Sequence, residues 1–280
     1  MSVLRKYSDF IKLEHTLFSL PLIFAGVCLA ETRWPSPQTV VLIVLAATGG
    51  RVAAMTLNRI VDRKIDALNP RTSARALASG AMKLWEAGLV LFAALALYFV
   101  SAAALNPLCL KLAPIPLVGW IAYPFFKRLT PWTHLGLGIV WSCAPVAGFL
   151  AVKPSVQGLE SAVVLAVFGV FWLAGFDIIY ALQDEDFDRA NDVRSLPAAV
   201  GGPKALVYSA IFHGLAFAAL IVLYAVWFSG TFTVMLLGLI GLLLYFEQKA
   251  SANTPLAFFR INAAIGFVVF FFVLFGLLGF

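Results

Sequence analysis

Charged residues are scarce in this chain of 280 residues: Asp, Glu, Lys and Arg together make up 12% of it, whereas 62% is hydrophobic. The mean hydropathy of +0.94 lies well outside the range of soluble globular domains. The few charges are concentrated in short segments between long uncharged runs. This pattern excludes an ordinary soluble enzyme and predicts an all-α, polytopic membrane protein in which the uncharged runs are transmembrane helices.

Cysteine is also rare, and no two of the three residues form a Cys-x-x-Cys pair. Cys28, Cys109 and Cys143 lie in separate apolar runs, which favours buried free thiols over disulfides or a metal site. A cleavable signal peptide is not indicated, because the first apolar run, about Thr16 to Ala30, has no small-residue cleavage site followed by a soluble region. We interpret that run as the first transmembrane helix.

The lengths of the apolar runs predict about nine transmembrane helices, since one crossing needs roughly 17 to 25 apolar residues. We expect these helices to form a bundle around a central cavity, as one transmembrane domain covering residues 1–280. Asn106-Pro107 and the Pro114/Pro116 pair interrupt the pattern between the third and fourth helices, so eight helices is the alternative. The nine expected helices lie near residues 16–32, 38–57, 84–104, 107–126, 133–152, 160–180, 204–228, 231–247 and 257–279.

Lysine and arginine are distributed very unequally between the two sides of this predicted topology. Sixteen of the twenty fall on the side of the N-terminus, three fall on the other side, and Arg51 lies within a predicted helix. The positive-inside rule then places the N-terminus and the acidic loops in the cytoplasm, and we expect a bacterial inner membrane. This orientation, together with anionic lipid at the bilayer surface, accounts for the net charge of +6, so no nucleic-acid partner is expected.

The first acidic segment, Asn58-Arg-Ile-Val-Asp62-Arg-Lys-Ile-Asp66, follows the second predicted transmembrane helix. A spacing of four places Asn58, Asp62 and Asp66 along one face of a helix that we predict to continue through them. Three oxygen ligands would then line one wall of a site.

The second acidic segment contains Asp177, Tyr180, Asp184 and Asp188 at the cytoplasmic end of the sixth predicted helix. Helical spacing again predicts one face, and the carboxylates of the two segments would converge if the two helix ends face each other. Mg²⁺ prefers oxygen ligands and commonly bridges carboxylates to substrate phosphates, so we predict a magnesium site that holds a diphosphate. The predicted catalytic residues are Asp62, Asp66, Asp184 and Asp188.

Basic residues in the same loops supply the positive charge that a metal–diphosphate complex still needs. The simpler interpretation is that these acids and bases form solvated salt bridges, and one Asp-x-x-x-Asp pair does not decide between the two, because short motifs recur by chance. Two such pairs on one predicted side, one of them preceded by Asn58, favour the ligand site. The candidates for diphosphate binding are Arg63, Arg71, Arg75, Lys127, Arg128 and Arg194.

Arg51 is a separate indication of a buried ligand, because an arginine inside a transmembrane helix is energetically costly. It lies seven residues before Asn58, so two helical turns place it on the same face, roughly 10 Å deeper. We predict that it binds the carboxylate of an aromatic acid and that Asp177 and Tyr180 border this acceptor. The alternatives are that Arg51 snorkels or pairs with a carboxylate, and that Tyr180 is an interfacial aromatic residue.

The three histidines are not predicted to bind a metal. His15, His134 and His213 are scattered and lack the spacing of metal ligands, so packing or helix capping is expected of them. Glu14-His15, near the first predicted helix, would border the pocket.

Together these residues resemble the UbiA superfamily of intramembrane prenyltransferases, whose motifs read Asn-x-x-x-Asp-x-x-x-Asp and Asp-x-x-x-Asp. The segments 69–80 and 123–128 are similar to the family's Arg-Thr…Arg-Pro-Leu-x-Ser-Gly and Tyr-Pro…Lys-Arg segments, and Arg51 is similar to its arginine seven residues before the Asn. The resemblance implies a nine-helix bundle, dependence on Mg²⁺, and transfer of a prenyl group to an acceptor. By matched position, Asn58, Asp62, Asp66, Asp184 and Asp188 would serve the metals, and Arg75 and Lys127 the diphosphate.

The chain also departs from the family pattern in its loops. Ala76 and Ala78 occupy positions where many members have proline, and Asn191-Asp192 stands where a glycine is common. The segment 12–21 is similar to that of members acting on aromatic acids in ubiquinone or menaquinone biosynthesis, with 4-hydroxybenzoate or a dihydroxynaphthoate as acceptor. The implied substrates are a polyprenyl diphosphate and an aromatic acid, and no obligate protein partner is implied.

Two other functions remain as alternatives. A prenyltransferase with an acceptor other than an aromatic acid fits the same acidic segments. A secondary transporter uses intramembrane Asp and Arg for ion coupling, but its binding residues lie near the bilayer midplane, whereas these acids lie at predicted helix ends. A CDP-alcohol phosphotransferase is excluded, because its Asp-x-x-Asp-Gly-x-x-Ala-Arg pattern is missing.

Overall fold

The chain folds into helices that are long and apolar enough to cross a membrane. A computed structural model describes residue 10 and residues 16–31, 33–253 and 255–280. These residues form helices and no strand. Eight of the described helical segments have the length and hydropathy of membrane spans, and the apolar helix Leu20–Ala30 is shorter. The predictions of an all-α membrane protein and of about nine helices are therefore confirmed, whereas Glu14 and His15 lie outside the described residues.

The helices are numbered here in chain order. They are α1 Thr16–Ala30, α2 Pro37–Leu68, α3 Leu84–Leu105, α4 Pro107–Leu112, α5 Pro114–Leu129, α6 Thr133–Trp141, α7 Cys143–Val152, α8 Glu160–Ala181, α9 Glu185–Ala190, α10 Leu196–Val200, α11 Gly202–Trp227, α12 Thr231–Lys249 and α13 Asn262–Leu278. A 3₁₀ turn, Leu182–Asp184, separates α8 from α9, and a π-helical turn, Pro255–Ile261, precedes α13.

Asn106 and Pro107 divide one long apolar stretch into the helices α3 and α4. Asn106 has an extended backbone, with φ of −170°, and its Oδ1 accepts a hydrogen bond from the backbone N–H of Cys109 at 2.9 Å. Pro107 occupies the first helical position. A backbone N–H at this position has no partner within the helix, so the absence of an N–H in proline costs no hydrogen bond. The stretch therefore forms two crossings, Leu84–Leu105 and Pro107–Leu129, at the division that the sequence predicted.

The described chain comprises two compact units, one containing residues 36–125 with Phe10 and one containing residues 18–35 and 126–280. In the first unit, α2 packs closely against its neighbours through glycine. A Cβ on Gly49 would lie 2.8 Å from the backbone nitrogen of Tyr98, and one on Gly50 would lie 2.8 Å from the ring of Trp120. Tyr98 and Trp120 pack edge to face, with ring centroids 5.1 Å apart. These contacts fix the helix that carries Arg51 and the first acidic segment.

The second unit has an apolar core formed by side chains of α1, α8, α11, α12 and α13, among them the fully buried Leu165, Phe168, Ile240 and Phe272. Lipid tails are as apolar as these side chains, so close packing rather than removal from water holds such helices together. Small residues allow that packing between α1 and α7. A Cβ on Gly148 would collide with the carbonyl oxygen of Ile23.

We expect Gly148→Ala to lower the stability of the protein by about 1–3 kcal/mol, because the added methyl group forces two helix backbones apart. The measurement is thermal unfolding of the purified protein in detergent. Gly214→Ala is the matched control, since a Cβ at Gly214 meets no described atom within 4 Å, and alanine favours a helix over glycine. Equal unfolding temperatures for the two variants would contradict the close contact at Gly148.

A buried hydrogen-bond network also crosses the second unit. Trp172 Nε1 on α8 donates to Asn262 Oδ1 on α13 at 2.8 Å, and Asn262 Nδ2 donates to Glu247 Oε1 on α12 at 2.8 Å. All three residues are buried, and Glu247 has no exposed surface. Charged and polar groups so deep in a membrane protein are costly unless they find partners. The network therefore ties three helices together by specific polar contacts.

A second set of hydrogen bonds reaches α11 beside the first, where His213 Nε2 lies 3.8 Å from Glu247 Oε2. Gln248 Nε2 donates to Ser209 Oγ at 2.7 Å and to His213 Nδ1 at 2.9 Å, and the Ser209 hydroxyl donates to the carbonyl oxygen of Gly175 at 2.7 Å. The imidazole of His213 packs directly on Gly175, where a Cβ would overlap the ring. His213 thus serves helix packing. We call these residues the α8–α13 network: Trp172, Ser209, His213, Glu247, Gln248 and Asn262.

Candidate active site

The first acidic segment occupies the last turns of α2, which continues to Leu68. The predicted continuation of the helix through Asn58, Asp62 and Asp66 is confirmed, and their spacing of four places them on one face. Both acids are buried, with Asp62 1% exposed and Asp66 7% exposed. Buried carboxylates require cationic or hydrogen-bonding neighbours, which the following loop supplies for Asp66.

Asp66 is bound by Arg75 from that loop. Nη1 of Arg75 lies 2.9 Å from each carboxylate oxygen, and the Thr72 hydroxyl donates to the backbone carbonyl of Asp66 at 3.1 Å. Asn69 organises the turn between them, because its Oδ1 accepts a hydrogen bond from the backbone N–H of Arg71 at 2.9 Å. The structure thus places Arg75, a predicted diphosphate ligand, against Asp66, a predicted metal ligand.

Arg51 and Arg59 also belong to α2. Arg59 is 7% exposed, and its guanidinium carbon lies 5.1 Å from the centre of the Phe10 ring. Arg59 was not among the predicted site residues, because it lies off the four-residue spacing of the acids. Arg51 has a buried Nε, and Tyr123 lies close enough to interact electrostatically with its guanidinium. Tyr123 begins the Tyr-Pro segment. Arg51 and this segment were identified separately in the sequence, and they lie close together in the first unit.

The second acidic segment lies in the second unit and is not one uninterrupted α-helix. Asp177 and Tyr180 belong to α8, Asp184 ends the 3₁₀ turn, and Asp188 lies in α9. The tighter turn alters the register, so a single face of an ideal α-helix does not describe these four residues. Gln183 stabilises the turn, because its Nε2 donates to the carbonyl oxygen of Tyr180 at 3.0 Å.

Asp188 is 8% exposed and is hydrogen-bonded by the Ser195 side chain. Lys127 and Asp184 both lie close enough to Asp188 to interact with it electrostatically. The chain between Asp188 and Ser195 turns through Asp192, which has a φ of 54°. Aspartate tolerates this left-handed conformation better than most non-glycine residues do, which explains how the chain turns here without a glycine.

His134, on α6, connects the second acidic segment to the start of α10. Its Nδ1 lies 2.6 Å from Asp177 Oδ2, and its Nε2 accepts a hydrogen bond from the backbone N–H of Leu196 at 3.3 Å. The contact with Leu196 is a form of helix capping, one of the two roles, packing or capping, that the sequence led us to expect of the scattered histidines. The contact with Asp177 was not predicted, because the two residues are 43 positions apart and no periodicity connects them.

The predicted diphosphate ligands occupy different surroundings. The backbone N–H of Arg194 donates to the carbonyl oxygen of Lys127 at 2.7 Å, and its Nη1 donates to the carbonyl oxygen of Leu129 at 2.8 Å. Arg194 therefore holds the 127–129 segment in addition to any contact with a ligand. Arg71, Arg128 and Arg194 are exposed, whereas Arg63, Arg75 and Lys127 are half-buried.

The donor atoms suit a hard cation. No three His, Cys, Asp or Glu side chains are arranged as a metal site in the part of the chain that the structure describes. Mg²⁺, however, usually keeps several waters and binds through one or two carboxylates together with substrate phosphates. The amide and carboxylate oxygens of Asn58, Asp62 and Asp66, and those of Asp184 and Asp188, fit such an ion better than a metal that selects thiolate or imidazole. That both segments act on one ligand stays a prediction.

Comparison with known proteins identifies close relatives along most of the chain. The profile of the UbiA prenyltransferase family matches residues 19–262. The 4-hydroxybenzoate octaprenyltransferase of Shewanella denitrificans is 31% identical over 221 residues, which cover 78% of this chain and 74% of the relative. The protein of the same name from Nitrosomonas europaea is 28% identical over 274 residues, covering 95% and 93% of the two chains.

Solved structures share the fold. The apo structure of a UbiA homologue from Aeropyrum pernix K1 superposes with a TM-score of 0.85 at 34% identity, covering 92% of this chain and 96% of the other. A UbiA homologue from Archaeoglobus fulgidus bound to GPP and Mg²⁺ superposes with a TM-score of 0.74 at 21% identity, covering 97% and 98%. The match over residues 19–262 and the motifs within it show that this multi-pass membrane protein is a prenyltransferase belonging to the UbiA prenyltransferase family.

Proposed function

We propose that this prenyltransferase transfers a polyprenyl group from a polyprenyl diphosphate to an aromatic acid, 4-hydroxybenzoate or a dihydroxynaphthoate, in quinone biosynthesis. The observation that carries the proposal is the pair of acidic segments, each with two carboxylates four residues apart and with basic residues beside them. The relatives named 4-hydroxybenzoate octaprenyltransferase support the acceptor. The homologue bound to GPP and Mg²⁺ supports the diphosphate and the metal.

The residues proposed to hold Mg²⁺ are Asn58, Asp62, Asp66, Asp184 and Asp188. When bound, the ion supplies Lewis acidity that draws negative charge onto the diphosphate oxygens and makes the diphosphate a better leaving group. The burial of Asp62 and Asp188 matters here, because charges shielded from water interact more strongly with a ligand.

Basic side chains are proposed to bind the remaining diphosphate oxygens. They are Arg63, Arg71, Arg75, Lys127, Arg128 and Arg194. Arg75 contacts Asp66 through Nη1 alone, so the rest of its planar group of N–H donors remains to contact phosphate oxygens. Such preorganised cations stabilise negative charge as it develops on the leaving group.

The chemistry itself forms one carbon–carbon bond. The bond between the diphosphate oxygen and the allylic carbon breaks with its electron pair remaining on the diphosphate, and an electron-rich ring carbon of the acceptor bonds to the allylic carbon. The ring then loses a proton, either to the released diphosphate or to an aspartate carboxylate, and regains aromaticity. Apolar helices around the reacting carbon exclude water, which would otherwise capture the allylic cation as a prenyl alcohol.

Arg51 is proposed to bind the carboxylate of the acceptor, with Asp177 and Tyr180 beside the ring. We expect Arg51→Ala to raise the KM for 4-hydroxybenzoate by about tenfold to a hundredfold while the KM for the polyprenyl diphosphate changes by less than about threefold, because only the acid loses its cationic partner. The measurement is steady-state kinetics with each substrate varied in turn.

Phenol, an acceptor that lacks the carboxylate, tests whether the effect of Arg51 depends on that group. The preference of the wild-type protein for 4-hydroxybenzoate over phenol should largely disappear in Arg51→Ala and persist in Lys111→Ala, an exposed cation of α4. An unchanged preference in Arg51→Ala would show that this arginine does not bind the acceptor.

The decisive experiment uses the purified protein in lipid vesicles with a labelled polyprenyl diphosphate, Mg²⁺ and a panel of aromatic acids. A prenylated aromatic acid identified by mass spectrometry, lost when EDTA removes Mg²⁺, is the expected result. Uptake of substrate into vesicles without formation of product would favour a transporter. Prenylation only of acceptors other than aromatic acids would indicate a family member with a different class of acceptor.

The proposed orientation places the N-terminus and both acidic segments on the cytoplasmic side of a bacterial inner membrane. It rests on the excess of lysine and arginine in the loops of that side. A water-soluble diphosphate analogue added outside inverted membrane vesicles should therefore inhibit the enzyme, and the same analogue outside right-side-out vesicles should not.

A further inference from the structure

The hydrogen bonds of His134 determine where its proton lies. The backbone N–H of Leu196 is a donor, so Nε2 of His134 accepts. In the neutral ring the proton then lies on Nδ1, where it is donated to Asp177 Oδ2 across 2.6 Å. The hydrogen-bond pattern assigns this tautomer. His134 is 3% exposed, so water does not compete for either nitrogen.

The backbone around this pair is held by apolar packing. Ile178, next to Asp177, and Leu196 belong to one buried cluster, and Leu135, next to His134, packs against that cluster. Packing therefore fixes the positions of the three backbones, and the hydrogen bonds of His134 fix the orientation of the carboxylate. Asp177 is left with one engaged oxygen, Oδ2, whereas Oδ1 has no hydrogen-bond partner among the described residues.

Asp177 remains accessible to a ligand. Its side chain is 20% exposed, in contrast to the buried imidazole that holds it. It lies one helical turn before Tyr180 and two turns before Asp184. A carboxylate with one fixed oxygen and one open oxygen is suited to accept a hydrogen bond from a hydroxyl group of a ligand.

His134 is also connected to Asp188, through hydrogen bonds made by the adjacent residues Leu196 and Ser195. Leu196 begins α10, and Ser195 is its N-cap, with Oγ accepting a hydrogen bond from the backbone N–H of Ala198 at 3.4 Å. The hydroxyl of the same serine is hydrogen-bonded to Asp188. One imidazole thus supports two acids of the second acidic segment, Asp177 directly and Asp188 through residues 195 and 196.

We infer that His134 is a positioning residue that orients Asp177 so that its Oδ1 accepts a hydrogen bond from the hydroxyl group of the aromatic acceptor. The inference rests on the proposed function and deepens it, because it names the residues that recognise the hydroxyl group of the acceptor. A hydrogen bond from a phenolic hydroxyl to a carboxylate raises the electron density of the ring, which favours attack on the allylic carbon. Correct orientation of the ring carbon contributes to the same step.

Two substitutions separate the two hydrogen bonds of His134. In His134→Asn the side-chain amide reaches about as far as Nδ1, so it retains a donor for Asp177 and loses the contact with Leu196. In His134→Gln the amide reaches about as far as Nε2, so its oxygen retains the contact with Leu196 and the donor for Asp177 is lost. Thr130→Ala is the control, because its Oγ1 accepts a hydrogen bond from the backbone of Trp132 in the preceding loop and does not contact Asp177.

We expect His134→Gln to lower kcat/KM for the aromatic acid by about tenfold to a hundredfold and His134→Asn, which loses only the contact with Leu196, by less than about tenfold, whereas Thr130→Ala should stay within about threefold of the wild-type protein. The KM for the polyprenyl diphosphate should change by less than about threefold in all three variants. The wild-type preference for 4-hydroxybenzoate over 4-methoxybenzoate, which has no hydroxyl hydrogen, should shrink in His134→Gln and persist in His134→Asn. Thermal unfolding of each variant reports whether it is folded.

Equal losses in His134→Asn and His134→Gln, or an unchanged preference for the hydroxyl group in His134→Gln, would overturn the positioning role while leaving the proposed function intact. If the wild-type protein prenylates none of the aromatic acids, the proposed function itself fails, and the assignment of Asp177 to an acceptor hydroxyl fails with it. The two failures are thus distinguished by the activity of the wild-type protein alone.

Discussion

Asp62→Ala and Asp184→Ala are each expected to reduce prenyl transfer at least about 1,000-fold, which corresponds to about 4 kcal/mol of transition-state stabilisation. Each substitution removes a proposed metal ligand, and the electrostatic stabilisation of the departing diphosphate depends on that metal. The measurement is the initial rate of formation of the prenylated aromatic acid at saturating substrates and Mg²⁺. Both variants should remain folded, because the helices around the acids are held by packing elsewhere in each unit.

Matched controls lie beside both acids. Lys64→Ala removes an exposed charge two residues after Asp62, and Asp186→Ala removes an exposed carboxylate two residues after Asp184. Both controls should retain activity within about threefold, as is usual for surface substitutions. Asp62→Asn, which preserves the size of a nearly inaccessible side chain, separates the loss of charge from a defect in folding. Near-normal rates in both alanine variants would show that these acids do not serve the metal.

The same acids allow a test of whether the two segments act on one ligand. Conservative variants such as Asp66→Glu and Asp188→Glu retain enough activity for the Mg²⁺ concentration at half-maximal rate to be measured. If one metal–diphosphate complex contacts both segments, the effects of the two substitutions should be coupled by more than about 0.5 kcal/mol in a double-mutant cycle. Strictly additive effects would indicate two independent sites.

Asn262→Leu is expected to destabilise the protein by about 3–5 kcal/mol, the largest effect on stability that we predict from a single substitution. The leucine side chain leaves Trp172 Nε1 without an acceptor and Glu247 Oε1 without a donor. It also removes the hydrogen bond of 3.0 Å from Asn262 Nδ2 to the carbonyl oxygen of Ala257. Loss of one partner in a buried network costs the full desolvation of the groups that remain.

Thermal unfolding in detergent measures this effect, with an expected decrease of roughly 10 °C or more. Gln157→Leu is the control, because it makes a comparable change at an exposed loop position. Glu247→Gln should cost much less than Asn262→Leu, because the glutamine oxygen still accepts the hydrogen bond from Asn262. A normal unfolding temperature for Asn262→Leu would mean that the α8–α13 network contributes little to stability.

Sequence patterns were sufficient for the features that depend on local chemistry. The apolar runs located the membrane helices, and Asn106-Pro107 located the boundary between two of them. The four-residue spacing of Asn58, Asp62 and Asp66 predicted that α2 continues beyond its apolar part, and it continues to Leu68. These features follow from helix geometry and from the length of a bilayer crossing, both of which a single sequence displays.

Features that depend on tertiary contacts were not predictable in the same way. The 3₁₀ turn that ends at Asp184 is accompanied by hydrogen bonds that helical periodicity does not specify, among them that of Gln183. The pairing of His134 with Asp177 joins residues far apart in the chain, and an isolated histidine in an apolar helix does not reveal its partner. Glu247 and Asn262 are single polar residues of the same kind, so only the fold shows that they meet.

The contact between Arg75 and Asp66 has a consequence for the order in which ligands bind. A divalent cation that approaches Asp66 competes with a guanidinium already placed 2.9 Å from both carboxylate oxygens. If Asp66 serves a metal and Arg75 a diphosphate as proposed, displacement of the arginine by the metal frees a cation for the phosphate oxygens. By thermodynamic linkage each ligand then strengthens the binding of the other to the same degree, so Mg²⁺ alone should bind weakly and the metal–diphosphate pair tightly.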